Sequence, residues 1–171
     1  GPDEGVPNRL RRDTRSHRAA ERNSPSRDAR IALAMFTREA TLFRTFGLPQ
    51  YQARYLALLT SARGRAKLTG SLAHARAFDP RYIIDVPRSS DTRQTVYTML
   101  KQRAAPEFCY AISEWAEIDG HELLLPDALR KVIGRGMGTL LACIPAALAY
   151  FESEDAGERY ILYKPRGSQH G

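Results

Sequence analysis

The hydrophobic pattern of the chain changes near residue 80, and this change limits the folds that it can adopt. From Asp28 to Phe78, apolar residues recur every three to four positions, which is typical of amphipathic helices. From Tyr82 onward, short apolar and aromatic runs are separated by turn signals, which is typical of strands. The sequence therefore predicts an α+β fold, with a helical half followed by a half that forms most of a sheet.

Three helices are predicted in the first half. The first begins near Asp28, which can act as an N-cap, and ends at Gly47. Pro49 suits the first turn of the second helix, which continues to an interruption at Arg63-Gly64-Arg65. The third helix has the sequence AKLTGSLAHARAF and ends at the turn signal Asp79-Pro80.

The second half is predicted to have the order β-α-β-α-β-β-β. Its first strand is YIIDV, and Asp91 with Gln94 three residues later then predicts a capped helix. The strand EFCYAIS and a short helix opened by Pro126 follow. The last three strands, GTLLACI, ALAYFES and ERYILYK, are separated by short turns that favour an antiparallel meander. We expect the helices to pack on one face of a mixed or antiparallel sheet.

The 171 residues are predicted to form one domain with an arm and a tail. Residues 1–27 are dominated by charged and small polar side chains, which cannot offset the entropy of ordering, so they predict a disordered Arg-rich arm. Gly1 and Pro2 are typical of the remnant of a cleaved tag. The predicted domain covers residues 28–165, and residues 166–171 are predicted to be a flexible tail.

Cysteine and apolar content indicate the expected compartment. Cys109 and Cys143 each lie in an apolar run, where a reduced thiol acts as a small hydrophobic group. Two cysteines do not make a secreted disulfide framework, and no apolar run reaches the roughly 18–20 residues of a membrane span. We therefore expect a cytoplasmic protein without a membrane contact.

Charge is segregated along the chain. Residues 31–105 carry ten Arg and two Lys against four acidic residues, whereas residues 106–171 carry six basic residues against ten acidic ones. The basic half can hold an anionic partner, and the acidic half would be repelled from it. A GC-rich genome also produces Arg-rich sequences, so the excess of Arg does not by itself establish binding.

The leading hypothesis is a domain that binds RNA or DNA through phosphate contacts, without a base-specific motif. The flexible arm would help, and Tyr51, next to Pro49, is the aromatic side chain in this region that we expect to be exposed. The remaining aromatic residues near these charges are expected in the core. The candidate phosphate ligands all lie in the helical half or at its end: Arg54, Arg63, Arg65, Lys67, Arg76 and Arg81.

Two alternatives belong to other classes of protein. One is a regulatory domain that binds a protein through the loop around Trp115 or through an exposed sheet edge. The other is a metal-dependent nuclease, because the same loop holds several groups that could bind a divalent cation, although in no standard ligand pattern: Glu114, Glu117, Asp119, His121 and Glu122.

Other chemical motifs are weak in this sequence. The glycines of residues 134–138 lead from a helix into a strand, the reverse of a phosphate-binding loop, and therefore indicate left-handed backbone and close packing. No nucleophile motif surrounds a Ser or Cys. The sequence thus gives no catalytic residue, no metal ligand set and no cofactor, and we expect a non-catalytic domain.

Overall fold

The helices and strands follow the change in periodicity along the sequence. The computed structural model describes residues 24–72, 78–144, 147–155 and 157–167. Within these ranges the helices are α1 (Arg27–Phe46), α2 (Gln52–Leu59), α3 (Ala62–Ser71), α4 (Thr92–Lys101) and α5 (Leu125–Val132). The strands are β1 (Ile83–Asp85), β2 (Phe108–Ser113), β3 (Glu122–Leu124), β4 (Thr139–Ala142), β5 (Leu148–Glu152) and β6 (Arg159–Tyr163). The α+β class is confirmed.

The described strands form one antiparallel sheet in the order β1-β6-β5-β4-β2-β3. The predicted C-terminal meander is confirmed, because β5 pairs with both β4 and β6. Strand β3 was not predicted. It places Leu123 opposite Cys109 after a turn at Gly120, which has a φ of 73°. Residues 122–124 lack the β-branched residues that mark β1 as a strand, and they lead directly into α5.

Helices cover both faces of the sheet, so the prediction of helices on one face is wrong. Helices α1 to α3 pack on one face, where Phe43 and Leu68 are buried. Helices α4 and α5 pack on the other face, where Val96 and Leu129 are buried. Strand β5 is buried along its whole length and contributes alternate side chains to the two clusters. A strand that is apolar on both faces needs a layer on each side.

The junction between α2 and α3 lies a few residues earlier than predicted. Helix α2 ends at Leu59, and Ser61 caps α3 by accepting a hydrogen bond from the backbone N–H of Gly64 at 3.0 Å. Gly64 therefore lies in the first turn of α3 and does not interrupt a helix. Helix α3 ends at Ser71, and residues 73–77 of the predicted third helix lie outside the described residues.

Most other predicted helix ends agree with the structure. Asp91 accepts a hydrogen bond from the backbone of Gln94, and α1 ends directly before Gly47. At the start of α1, the Ser26 hydroxyl, rather than Asp28, accepts from the helix backbone, at Ala29. The Asp91 cap and the helix end at Gly47 were predictable because such signals act over three or four residues.

The chain divides into two units, Gly1–Leu33 and Ala34–Gly171, and both buried clusters lie in the second. Residues 1–23, the larger part of the predicted arm, and residues 168–171 of the predicted tail lie outside the described residues. The predicted boundaries at residues 28 and 165 stay predictions. Among the residues that are described, no helix has the length and apolarity that a membrane span requires.

We expect Cys109 and Cys143 to be unreactive in the folded protein. Both thiols are free and buried, and burial raises the pKa of Cys143 to about 12 and that of Cys109 above its usual range. Because the folded protein holds these protons more tightly, their contribution to stability is complete below about pH 9 and is lost as the pH rises toward about 12. A chromogenic thiol reagent at about pH 8 should report both thiols only after urea is added. Rapid labelling without urea would show that the strands open readily.

Candidate nucleic-acid interface

Three predicted phosphate ligands, Arg54, Arg63 and Lys67, are exposed on α2 and α3. None of the three forms an ion pair with a carboxylate in the described part of the chain. No carboxylate is close to these residues in sequence, since the chain has no Asp or Glu between Glu39 and Asp79. We call these three residues the basic surface. The long acid-free segment was visible in the sequence and identifies this surface more sharply than the count over residues 31–105.

Helix α3 presents two of these cations on one side. Arg63 and Lys67 are four residues apart and therefore neighbours on the helix surface. The other exposed residues of this row are Ala66 and Gly70, which carry no charge. The opposite side of α3 buries Leu68 and Leu72 in the core. The cations are thus held on a helix that is packed in place.

Arg65, another predicted phosphate ligand, is already bound by two carboxylates. Its Nε lies 2.9 and 3.1 Å from the two Glu39 oxygens, and its Nη2 lies 2.7 Å from Glu39 Oε1 and 2.9 Å from Asp119 Oδ1. Nη1 donates to Asp119 Oδ2. The Tyr110 hydroxyl also donates to Glu39 at 2.9 Å. Since every guanidinium nitrogen has an acceptor, Arg65 joins α1, α3 and the loop before β3 and is not part of the basic surface.

The charges in this network stabilise one another. The hydrogen bonds to Asp119, followed by those to Glu39, raise the pKa of Arg65 above its usual range and outweigh the effect of burial. Burial, together with the negative charge of Glu39, raises the pKa of Tyr110. Glu39 has only 2% of its surface exposed, so its charge depends on these partners rather than on water.

Of the two remaining predicted ligands, one is paired with a carboxylate and the other lies outside the described residues. Arg81 donates to both carboxylate oxygens of Asp79, with Nη2 2.7 Å from Oδ2, and this contact lowers the pKa of Asp79. The guanidinium also lies over the Tyr82 ring, 5.4 Å from its centroid. Its charge is therefore compensated, although its side chain is 71% exposed. Arg76 lies outside the described residues.

The aromatic residues behave largely as predicted. Phe78 is buried, Tyr55 and Tyr82 pack against the core, and Tyr51 is exposed over 43% of its surface. The ring of Tyr55 can lie against the end of α1 because position 47 is glycine. A Cβ there would lie 3.3 Å from the Tyr55 ring and 2.5 Å from the Phe43 carbonyl oxygen.

The carboxylates of the 114–122 loop point to different partners instead of a common centre. Asp119 binds Arg65, Glu122 lies 2.8 Å from Arg38, and Glu117 lies 3.2 Å from Lys131. Glu114 accepts from the backbone of Gly138 at 3.4 Å. Within the described ranges, no three His, Cys, Asp or Glu side chains are grouped so that they could hold a metal ion. Acidic residues of this loop therefore form ion pairs with basic residues on several elements.

Trp115 and the glycine-rich segment after α5 both contact other residues of the chain. The guanidinium of Arg135 lies 3.9 Å from the centre of the Trp115 ring, which packs on the core between the sheet and α4 and α5. Gly134 and Gly136 have φ values of 83° and 67°, so the left-handed backbone predicted for this segment is confirmed. The N–H of Gly134 donates to the buried carboxylate of Glu152 at 2.8 Å and is not free for a phosphate.

Comparisons of the chain with protein-family models, with curated proteins and with solved structures find no match. The described surface of α2 and α3 carries exposed cations without a carboxylate partner. Acidic residues of the 114–122 loop, in contrast, are paired with basic residues of the chain.

Proposed function

We propose that this domain binds nucleic acid through the phosphate backbone, at the basic surface of Arg54, Arg63 and Lys67. The observation that carries the proposal is that these exposed cations lie in a segment without acidic residues, so that no carboxylate of α2 or α3 competes for them. A phosphate backbone would release counterions as it binds, and this release supplies the affinity. Arg65 acts beneath the surface by fixing α3 to α1.

The same surface argues against recognition of base edges. Between Arg63 and Lys67 the exposed row of α3 contains Ala66, and Gly70 follows, so these positions offer no side-chain donor or acceptor to a base. Backbone contacts position a nucleic acid without reading its sequence. We therefore propose binding that depends on salt and charge and varies little with sequence.

The proposal predicts a strong effect of salt on binding. Each phosphate contact contributes about −0.9 to the slope of log K against log salt for a duplex and about −0.7 for a single strand. Replacing Arg54, Arg63 and Lys67 together by alanine should remove about two to three units from this slope and weaken binding by about tenfold or more at low salt. Fluorescence anisotropy of labelled oligonucleotides with the full chain, from about 50 to 300 mM salt, measures both quantities.

A matched control uses cations from a different region. Arg88, Arg93 and Arg130 are exposed in the segment before α4, on α4 and on α5, and their replacement by alanine changes the net charge equally. This control should bind nearly as tightly as the unmodified chain. Equal losses in both triple variants would mean that only net charge matters. Absence of binding at the lowest salt would overturn the proposal.

A second candidate function is a protein contact at the β3 edge. Phe108 and Leu124 lie opposite each other on β2 and β3, and they remain 47% and 39% exposed. Strand β3 is the last strand at its side of the sheet. Exposed apolar residues beside an open edge favour strand addition by a protein partner over contacts at Trp115, whose ring is already covered by Arg135.

A further inference from the structure

We infer that Tyr51 is a stacking platform for an unpaired base, so that the nucleic acid bound at the basic surface is single-stranded. This inference rests on the proposed function and specifies its substrate class. Two observations support it: contacts from the core hold the exposed ring, and cations flank the turn along the chain.

Tyr51 is exposed but firmly supported. Its ring centroid lies 6.3 Å from that of Tyr55, whose ring lies 5.4 Å from that of Phe43, a residue with no exposed surface. The aromatic contacts continue from Phe43 to Phe78 and on to Phe151 of strand β5. A chain of rings thus connects the sheet to the surface, and Tyr51 is its exposed end.

The turn that carries Tyr51 is also held by hydrogen bonds. The backbone N–H of Tyr51 donates to the carbonyl of Leu48 at 2.9 Å, in a 3₁₀ turn that begins with Pro49. The side chain of Gln52 donates to the carbonyls of Arg44 and Gly47 at 3.2 and 3.0 Å, which ties the turn to the end of α1. A ring held in this way loses little conformational freedom when a base stacks on it.

Cations lie on both sides of this turn along the chain. Arg54 follows three residues after Tyr51 and is close enough to Tyr55 to affect its ionisation. Arg44 is exposed on the last turn of α1, which the Gln52 side chain contacts. The sequence prediction omitted Arg44, because the distance between it and Tyr51 depends on how α1 ends against the next turn.

An exposed aromatic ring among cations distinguishes single strands from duplexes. Bases in a duplex stack on one another and cannot offer an internal face to a protein ring, whereas every unpaired base has such a face. Stacking on an aromatic side chain strengthens binding by about five- to a hundredfold for each base. The Tyr51 ring itself is 43% exposed, and its neighbours Pro49 and Ala53 are exposed as well.

The test compares Tyr51→Ala with Tyr51→Phe in the full chain, using a labelled oligothymidine and a duplex of equal length. Tyr51→Ala should weaken binding of the single strand by about tenfold with an unchanged salt slope, while Tyr51→Phe should bind as the unmodified chain does. Neither change should alter binding of the duplex. Thermal unfolding of both variants verifies that they are folded.

A third variant gives a direct signal without removing the ring. In Tyr51→Trp, the new fluorophore should be quenched by the single strand, whereas the fluorescence of Trp115 in the unmodified chain should not change. Binding that is the same for Tyr51→Ala and the unmodified chain, without quenching in Tyr51→Trp, would overturn the inference and leave the proposed function intact. If the unmodified chain binds neither oligonucleotide, the proposed function and this inference are both overturned.

Discussion

Replacing Arg65 by methionine is expected to lower the free energy of unfolding by about 3–5 kcal/mol, because the change leaves a buried carboxylate without its cation. Glu39 is almost fully buried and receives three contacts from the Arg65 guanidinium. In the variant only the Tyr110 hydroxyl, of the partners seen here, would remain to it. Urea unfolding followed by far-ultraviolet circular dichroism measures the loss.

The control for this prediction is Arg63→Met, two residues earlier on the same helix. Arg63 is exposed and has no carboxylate partner in the described part of the chain, so its replacement should change stability by about 0.5 kcal/mol or less. The double variant Arg65→Met with Glu39→Gln should regain part of the lost stability, because it removes the uncompensated charge. Equal stability of Arg65→Met and Arg63→Met would contradict the role assigned to the network.

The same pair of variants separates folding from binding. Arg63→Met should fold normally and bind nucleic acid more weakly, since it removes one cation of the basic surface. Arg65→Met should unfold more easily, and at low temperature, where it is folded, it should still bind. Two arginines on one helix are thus predicted to affect different properties, because Arg65 is paired with two carboxylates and Arg63 is exposed without one among the described residues.

Replacing Gly64 by alanine is expected to cost about 2–3 kcal/mol, in spite of the higher helix propensity of alanine. A Cβ at position 64 would lie 2.3 Å from the carbonyl oxygen of Leu58 and 2.9 Å from the Ser61 hydroxyl. The first of these atoms belongs to the backbone, so α2 and α3 would have to separate. The shift would also weaken the Ser61 cap, a contact worth about 1 kcal/mol.

Gly70→Ala, in the same helix, is the matched control for the Gly64 change. The nearest atom to a Cβ at position 70 is a carboxylate oxygen of Glu114, at an ordinary contact distance of 3.9 Å. This variant should gain about 0.5–1 kcal/mol, because alanine restricts the unfolded chain and favours the helix. Thermal unfolding of both variants should therefore give shifts of opposite sign. Destabilisation of similar size in both would contradict the role assigned to the close contact between Gly64 and Leu58.

The candidate site was predictable only in part. The sequence named Arg54, Arg63 and Lys67 as candidates and predicted that Tyr51, next to Pro49, is exposed, and the structure has all four exposed. Arg65 belongs to the same basic segment, yet its partners lie 26 and 54 residues away in sequence. No local sequence pattern distinguishes an arginine that is exposed to solvent from one that forms ion pairs with Glu39 and Asp119.

Features that depend on neighbouring residues could be predicted from the sequence. The order of the main helices and strands, the Asp91 cap and the antiparallel meander all arise from contacts within a few positions or from short turns. The acid-free segment likewise determined that α2 and α3 would be basic. These features are local because caps, turns and periodicity act over at most two helical turns.

Packing between distant segments sets which face of the sheet each helix covers and which charged side chains stay without a partner. Strands β4 and β5 are apolar on both sides, so two layers of helices are needed, but nothing local assigns α4 and α5 to the second layer. Because α3 packs against α1 and the loop before β3, Arg65 forms ion pairs there, whereas Arg63 and Lys67 remain exposed to solvent. Burial of a charge requires a partner, and that partner is set by packing between distant segments rather than by sequence neighbours.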